Sequence, residues 1–219
     1  MLKDWAEIGQ SISLILASLF AIYGIDAWRR EFVGKRRMEL AEEVLALFYQ
    51  ARDNIDAIRS SFGFGQEGAT RKSDPNERPE HKEALDQAYV LIERYNRHSE
   101  VFARIHALRY RFMALFGSEA ARPFDELNRI VNELILSAHR KARLATVPDW
   151  SLRSEAAVEK HTNQLLEVER IYYSGGEDDP IAPRVAKLVE SMEGTCRAII
   201  ESHGTLFGLV NARLWRRNG

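Results

Sequence analysis

The residues best suited by type to carry chemistry are three histidines. His106, His161 and His203 each fall on or beside the apolar stripe of a different expected helix. Imidazoles converging from separate helices of a bundle can hold a transition metal. The competing reading is three separate histidines, each hydrogen-bonded or half exposed, because position along a stripe does not fix depth in a bundle. None of the six histidines has a glutamate three positions before it, which excludes the paired-metal pattern of ferritin-like bundles. Gly63, Gly65 and Gly68 spell G-x-G-x-x-G. That fingerprint cradles a pyrophosphate only between a strand and a helix N-terminus, and here it follows a helix and enters a proline-bearing loop. The one cysteine, Cys196, rules out an intrachain disulfide and a cysteine zinc cluster. Lying near a stripe, it reads as a small buried hydrophobe rather than a nucleophile. Glu177, Asp178 and Asp179 lack the spacing of a calcium loop and read as a solvated acidic turn. No catalytic residue and no cofactor is assigned.

The elements that would have to position any such site are helical. Gly and Pro cluster in a few places and Ala, Leu, Glu and Arg fill the stretches between them, with no alternating strand pattern of useful length. Leu40, Val44, Leu47, Ala51, Ile55 and Ile58 step by three and four, predicting a helix to about Arg59. Residues 60–80 hold three glycines and two prolines and predict a mobile loop. A second helix of about 35 residues carries Leu85, Tyr89, Ile92, Phe102, Ile105, Phe112 and Phe116, and stops at Gly117. A third carries Phe124, Leu127, Val131, Leu134, Ala138 and Ala142 with Pro123 in its first turn, ending before Pro148. A fourth, started by Ser151 or Ser154, shows Val158, Leu165, Val168 and Tyr172. The last runs from Ile181 through Val185, Leu188, Met192, Ile199, Leu206 and Val210 to Leu214. The expectation is an all-α fold: an elongated antiparallel bundle of about five helices. Its terminal run Ala212–Arg217 is basic and carries Trp215, suiting a membrane interface or an acidic partner as well as a frayed helix end.

Ahead of the bundle, Ile8 to Ile25 is 18 residues without a charge, with Trp5, Tyr23 and Trp28 at its edges. At 1.5 Å per residue this roughly matches a ~30 Å hydrocarbon layer, so residues 1–27 are expected to be a single transmembrane anchor and 28–219 a cytosolic bundle. A cleaved signal peptide would need a more basic start and a small-x-small site. A buried core helix is the other alternative, because Gln10, Ser11, Ser13 and Ser18 dilute the run. Arg29, Arg30, Lys35, Arg36 and Arg37 crowd its C-terminal flank, which predicts the N-terminus outside and the bundle in the cytoplasm. They are also placed to touch anionic headgroups, diluted by Glu31, Glu39, Glu42 and Glu43. Gly9, Ser13, Ala17 and Ala21 recur every four residues, a spacing that lets two helices approach closely in lipid.

The stretch Trp28-Arg29-Arg30-Glu31-Phe32-Val33-Gly34-Lys35-Arg36-Arg37, with the preceding anchor and following helix, resembles uncharacterised bacterial single-pass membrane proteins with a helical cytosolic domain. The resemblance implies a bacterial inner-membrane setting and brings no activity with it. With 29% charged residues and a net charge of -1 there is no electrostatic footprint for nucleic acid. The leading expectation is a membrane-tethered helical interaction or scaffold module, self-associating and meeting a cytosolic protein partner, with no chemistry of its own. A metal-dependent enzyme or sensor using the three histidines is the alternative. A subunit of an oligomeric membrane effector or pore is the third.

Overall fold

The computed structural model describes residues 2–63, 67–148, 151 and 153–202, with side chains outside that description at 2–12, 15, 18, 26, 27 and 202. Among the described residues the fold is all-α. Five helices follow in order, α1 (Leu2–Arg59), α2 (Pro79–Phe116), α3 (Arg122–Ala145), α4 (Glu155–Tyr172) and α5 (Ala182–Ser202), with a 3-10 turn Glu119–Ala121 before α3. The expected Leu206, Val210 and Leu214 of the last helix, together with His203 and Ala212–Arg217, lie outside the described residues.

Local signals set most of the ends. Pro79 sits in the first turn of α2 and Pro123 in that of α3, where the missing N–H has no helical partner to lose. Gly117 ends α2 at a φ of 90° that other residues avoid, and its N–H bonds the Met113 carbonyl. Ser154 caps α4, its hydroxyl accepting the Ala157 N–H at 3.2 Å. The helix α1 passes through Gly34 without a break.

Contacts divide the chain into two units, Met1–Glu42 with Arg197–Gly219 and Glu43–Cys196. In the second unit α2 packs on α3 and α3 on α4. Phe48 of α1, Phe112 of α2 and Phe124 of α3 meet at one place, with Phe124 centroids 5.1 Å and 5.3 Å from the other two rings. Helices α2 and α3 run antiparallel, Arg109 of α2 bonding Asp125 of α3 near their shared turn, and Lys141 of α3 bonds Glu169 of α4. The stripes on α1 and α3 are buried at Val44, Leu47, Ala51, Ile55 and Ile58 and at Phe124, Leu127, Val131, Leu134 and Ala138. On α2 the N-terminal half is rotated by one position from the expected stripe. Ala88, Leu91 and Arg94 are buried there, while Leu85, Tyr89 and Ile92 are half-buried. Val158 of α4 is 47% exposed rather than part of the core.

Residues 60–63 and 67–78 are not helical, and side-chain bonds tie the second of these stretches to α2. Arg71 grips Glu77 with two bonds of 2.6 and 2.7 Å and Asp86 of α2 with one of 2.8 Å. Glu93 accepts the Gly68 N–H and the Thr70 hydroxyl, each at 2.8 Å. At Gly68, φ is +90° and a Cβ would collide with the Asp86 carbonyl, so the glycine serves a close approach of loop to helix.

Among the described residues no helix is long and apolar enough to cross a membrane. The side chains of residues 8–12, 15 and 18 of the uncharged run lie outside the described ones.

Candidate functional site

Two regions depart from what water-soluble packing requires. The first is the uncharged run on α1. From Leu14 to Ile25 every large apolar side chain that is described is exposed, between 49% for Leu16 and 74% for Phe20. Residues 19–25 are consecutive and all exposed. At 100° per residue these seven positions encircle the helix, so no single stripe turns inward. Among the described residues this part of the run has no inward face. Ser13, Ala17 and Ala21 share one exposed face, while the side chain of Gly9 lies outside the described residues. Of the basic flank, Arg29, Arg30, Lys35 and Arg36 are exposed and Arg37 is half-buried. Lys35 lies 4.0 Å from Glu39.

The second region is a junction of helix ends built on two buried arginines. Arg59, the last residue of α1, is fully buried. Its Nε–H donates to Ile171 O at 2.9 Å, and Nη2 donates to Arg170 O and Tyr173 O at 3.1 and 2.6 Å. These carbonyls close α4, where the last turn has no intrahelical donors and the helix dipole favours a cation. The same guanidinium holds both oxygens of Asp179, at 3.0 and 2.8 Å. Asp179 in turn accepts the N–H groups of Ile181 and Ala182, at 2.8 and 3.1 Å, where α5 begins. One ion pair thus joins the end of α1, the end of α4 and the start of α5. Burial alone would raise the Asp179 carboxyl; the Arg59 guanidinium and those two N–H groups outweigh it and hold it below the usual carboxylate range.

Arg94 of α2 does for α1 what Arg59 does for α4. It donates to Ser60 O at 2.6 Å and Phe62 O at 2.8 Å, reaches Ile58 O at 3.5 Å, and pairs with Glu67. Tyr172 completes the junction: its hydroxyl donates to Gln87 O at 2.8 Å and accepts the Leu91 N–H at 3.1 Å, sitting across an i, i+4 pair of α2. Burial holds that phenol well above its ordinary pKa. Lys141 lies over the Tyr172 and Tyr173 rings at 4.5 and 4.2 Å and donates to the Tyr173 hydroxyl at 2.8 Å.

An open cavity of about 630 Å³ lies beside this junction, with Glu67, Lys82, Glu83, Asp86, Arg94 and Tyr172 among its walls. Arg94 and Glu67 are bonded to each other and Asp86 to Arg71. The arrangement anchors helix ends. Burial pushes the Cys196 thiol up to about 12, which keeps it protonated at neutral pH. Among the described residues no three His, Cys, Asp or Glu side chains come together to hold a metal. His106 is exposed on α2 and His161 half-buried near the start of α4. The acidic turn is engaged rather than merely solvated: Asp179 pairs with Arg59 and Asp178 with Arg170 at 3.0 Å.

Sequence reasoning missed Arg59, Arg94, Tyr172 and Asp179 as a group. Their only signal was position, an arginine closing a stripe and another inside one, and neither identifies its partners. Comparison with protein-family models, curated proteins and solved structures finds no match to this chain. Fold and geometry define a class only: an all-α helical bundle whose first helix carries an exposed apolar sleeve between Leu14 and Ile25.

Proposed function

We propose that this protein is a membrane-tethered helical interaction module, with α1 crossing the bilayer once and the bundle on the cytoplasmic side. The observation that carries the reading is the sleeve of exposed Leu, Ile, Phe and Tyr on α1, which encircles the helix at residues 19–25. A helix apolar all round needs an apolar surrounding, and lipid supplies it on every side. The same helix, Leu2–Arg59, carries the first stripe of the bundle. Charge on the C-terminal flank favours the orientation with the N-terminus outside. A bacterial inner membrane rests on the resemblance of residues 28–37.

Self-association through the Gly9, Ser13, Ala17 and Ala21 face, and a cytosolic protein met by the bundle, belong to the same reading. The buried arginines support a structural rather than a chemical role, because their donors are spent on helix carbonyls and carboxylates.

The test is membrane fractionation of bacteria expressing the full chain. The protein should stay with the membrane through an alkaline carbonate wash and leave it in detergent. Protease added to spheroplasts should spare the bundle. Single cysteines at Ser13 and Ala17 should cross-link between copies. Release of the chain into the wash would overturn the tether.

A further inference from the structure

Directly after the uncharged run, α1 carries Trp28, Phe32 and Arg36 one turn apart. The Trp28 and Phe32 rings stack, with centroids 6.0 Å apart and 27° between planes, and the Arg36 guanidinium lies 4.5 Å from the Phe32 centroid. Helical side chains lean toward the N-terminus, so each member of this ladder reaches back over the previous turn, toward the uncharged run. All three are exposed, as is Val33 beside them. On the opposite face Gly34 and Ala41 are buried. Among the described residues neither Arg29 nor Arg36 pairs with a carboxylate.

We propose that the Trp28–Phe32–Arg36 ladder, with Arg29, is a docking surface for anionic phospholipid headgroups. The inference rests on reading α1 as a membrane span and adds which lipid the span selects. Three observations choose this occupant. The surface is continuous with the apolar sleeve: Trp28 lies three residues past Ile25, about 4.5 Å along the axis and so at headgroup depth, and Arg36, about 12 Å further on, folds its guanidinium back over Phe32. Residues 28–37 hold five basic side chains against the single acid Glu31. A guanidinium whose flat face rests on a ring keeps its edge N–H groups for two oxygens of one phosphate. A second copy of the chain, docking by the same face, would instead set like charges against each other.

The experiment reconstitutes the full chain into phosphatidylcholine vesicles containing traces of spin-labelled phosphatidylglycerol or phosphatidylcholine, after flotation through a density gradient at alkaline pH. The relative association of the two labelled lipids with the protein boundary is read by electron paramagnetic resonance. Floating protein should prefer phosphatidylglycerol. Arg36→Gln should lower that preference about fivefold, the factor for one basic residue near an anionic surface. Phe32→Ala should lower it as well, because the guanidinium loses its platform, and Arg143→Gln, at an exposed site on α3, should not. Protein that floats yet shows equal affinity for both lipids overturns the inference and leaves the tether standing. So does a preference lost in Arg36→Gln but kept in Phe32→Ala, which would assign it to charge without the ladder. Cysteine cross-linking between copies at Phe32 in the absence of any lipid preference would assign the face to self-association. Protein that fails to float removes the span and the ladder's placement together.

Discussion

In the N-terminal stretch of α1, Leu, Ile and Phe side chains stand in the open on every side of a helix, whereas around Arg59 two guanidinium groups are buried among helix ends. Each is costly in water for its own reason. Exposed apolar area forfeits about 25 cal/mol per Å², and a buried cation costs several kcal/mol unless its donors are met. The junction meets its cost internally, with three α4 carbonyls and a carboxylate on Arg59. Among the described residues the sleeve has no such internal answer. A region that completes its own bonding is architecture, and a region that leaves its requirement open points to the environment.

The largest expected effect breaks the junction. Arg59→Met should strip Asp179 of its cation and leave the α4 carbonyls unpaired, lowering stability by about 3–5 kcal/mol in chemical denaturation of the detergent-solubilised chain. Membrane retention should be unchanged, since the sleeve is untouched. Next comes the reverse experiment. Leu16→Arg places a charge near the middle of the uncharged run, at a cost of about 2.5–3.5 kcal/mol for insertion. The carbonate-resistant fraction should fall steeply, while the unfolding midpoint of the bundle stays at its original value. A single variant that moved both readouts would dissolve the distinction between the regions.

Smaller changes sharpen the comparison. Tyr172→Phe removes only the hydroxyl seated across Gln87 and Leu91 and should cost about 1 kcal/mol. Amide exchange at Leu91 should quicken more than at Ile130, which is buried in α3 away from that hydroxyl. The mildest perturbation is pH. Asp179 has a folded pKa below its unfolded value, so its contribution is present above the ordinary carboxylate pKa of about 3.9 and is lost as pH falls through the folded value. Glu126, bonded to Arg184 and Arg129, shifts in the same direction against its own burial. Thermal midpoints should therefore decline below about pH 4, and Asp179→Asn should flatten that decline.

Much of the architecture was legible because it is local. Three- and four-residue spacing marked all five helices, and Gly117, Pro123 and Ser154 marked ends, since each acts through its own backbone conformation or its next turn. The stripe on the first half of α2 was misplaced by one position. Spacing favoured Leu85, Tyr89 and Ile92, but the bundle buries Arg94, whose stem packs while its head caps α1. The loop at 60–80 read as mobile from its glycines, because nothing local shows that Arg71 answers Glu77 and Asp86 or that Glu93 answers Gly68 and Thr70. The acidic turn read as solvated for the same reason: the cation that engages Asp179 stands 120 residues away.

By itself the sequence determined an all-α chain, the positions of its helices and an uncharged run of 18 residues, because helix periodicity and the absence of charge are properties of neighbouring residues. Tertiary structure alone decided which arginine closes which helix. It also decided that Asp179 is a buried partner and that the apolar sleeve has no inward face. Burial and pairing depend on what the fold brings from far along the chain, and spacing carries no record of that.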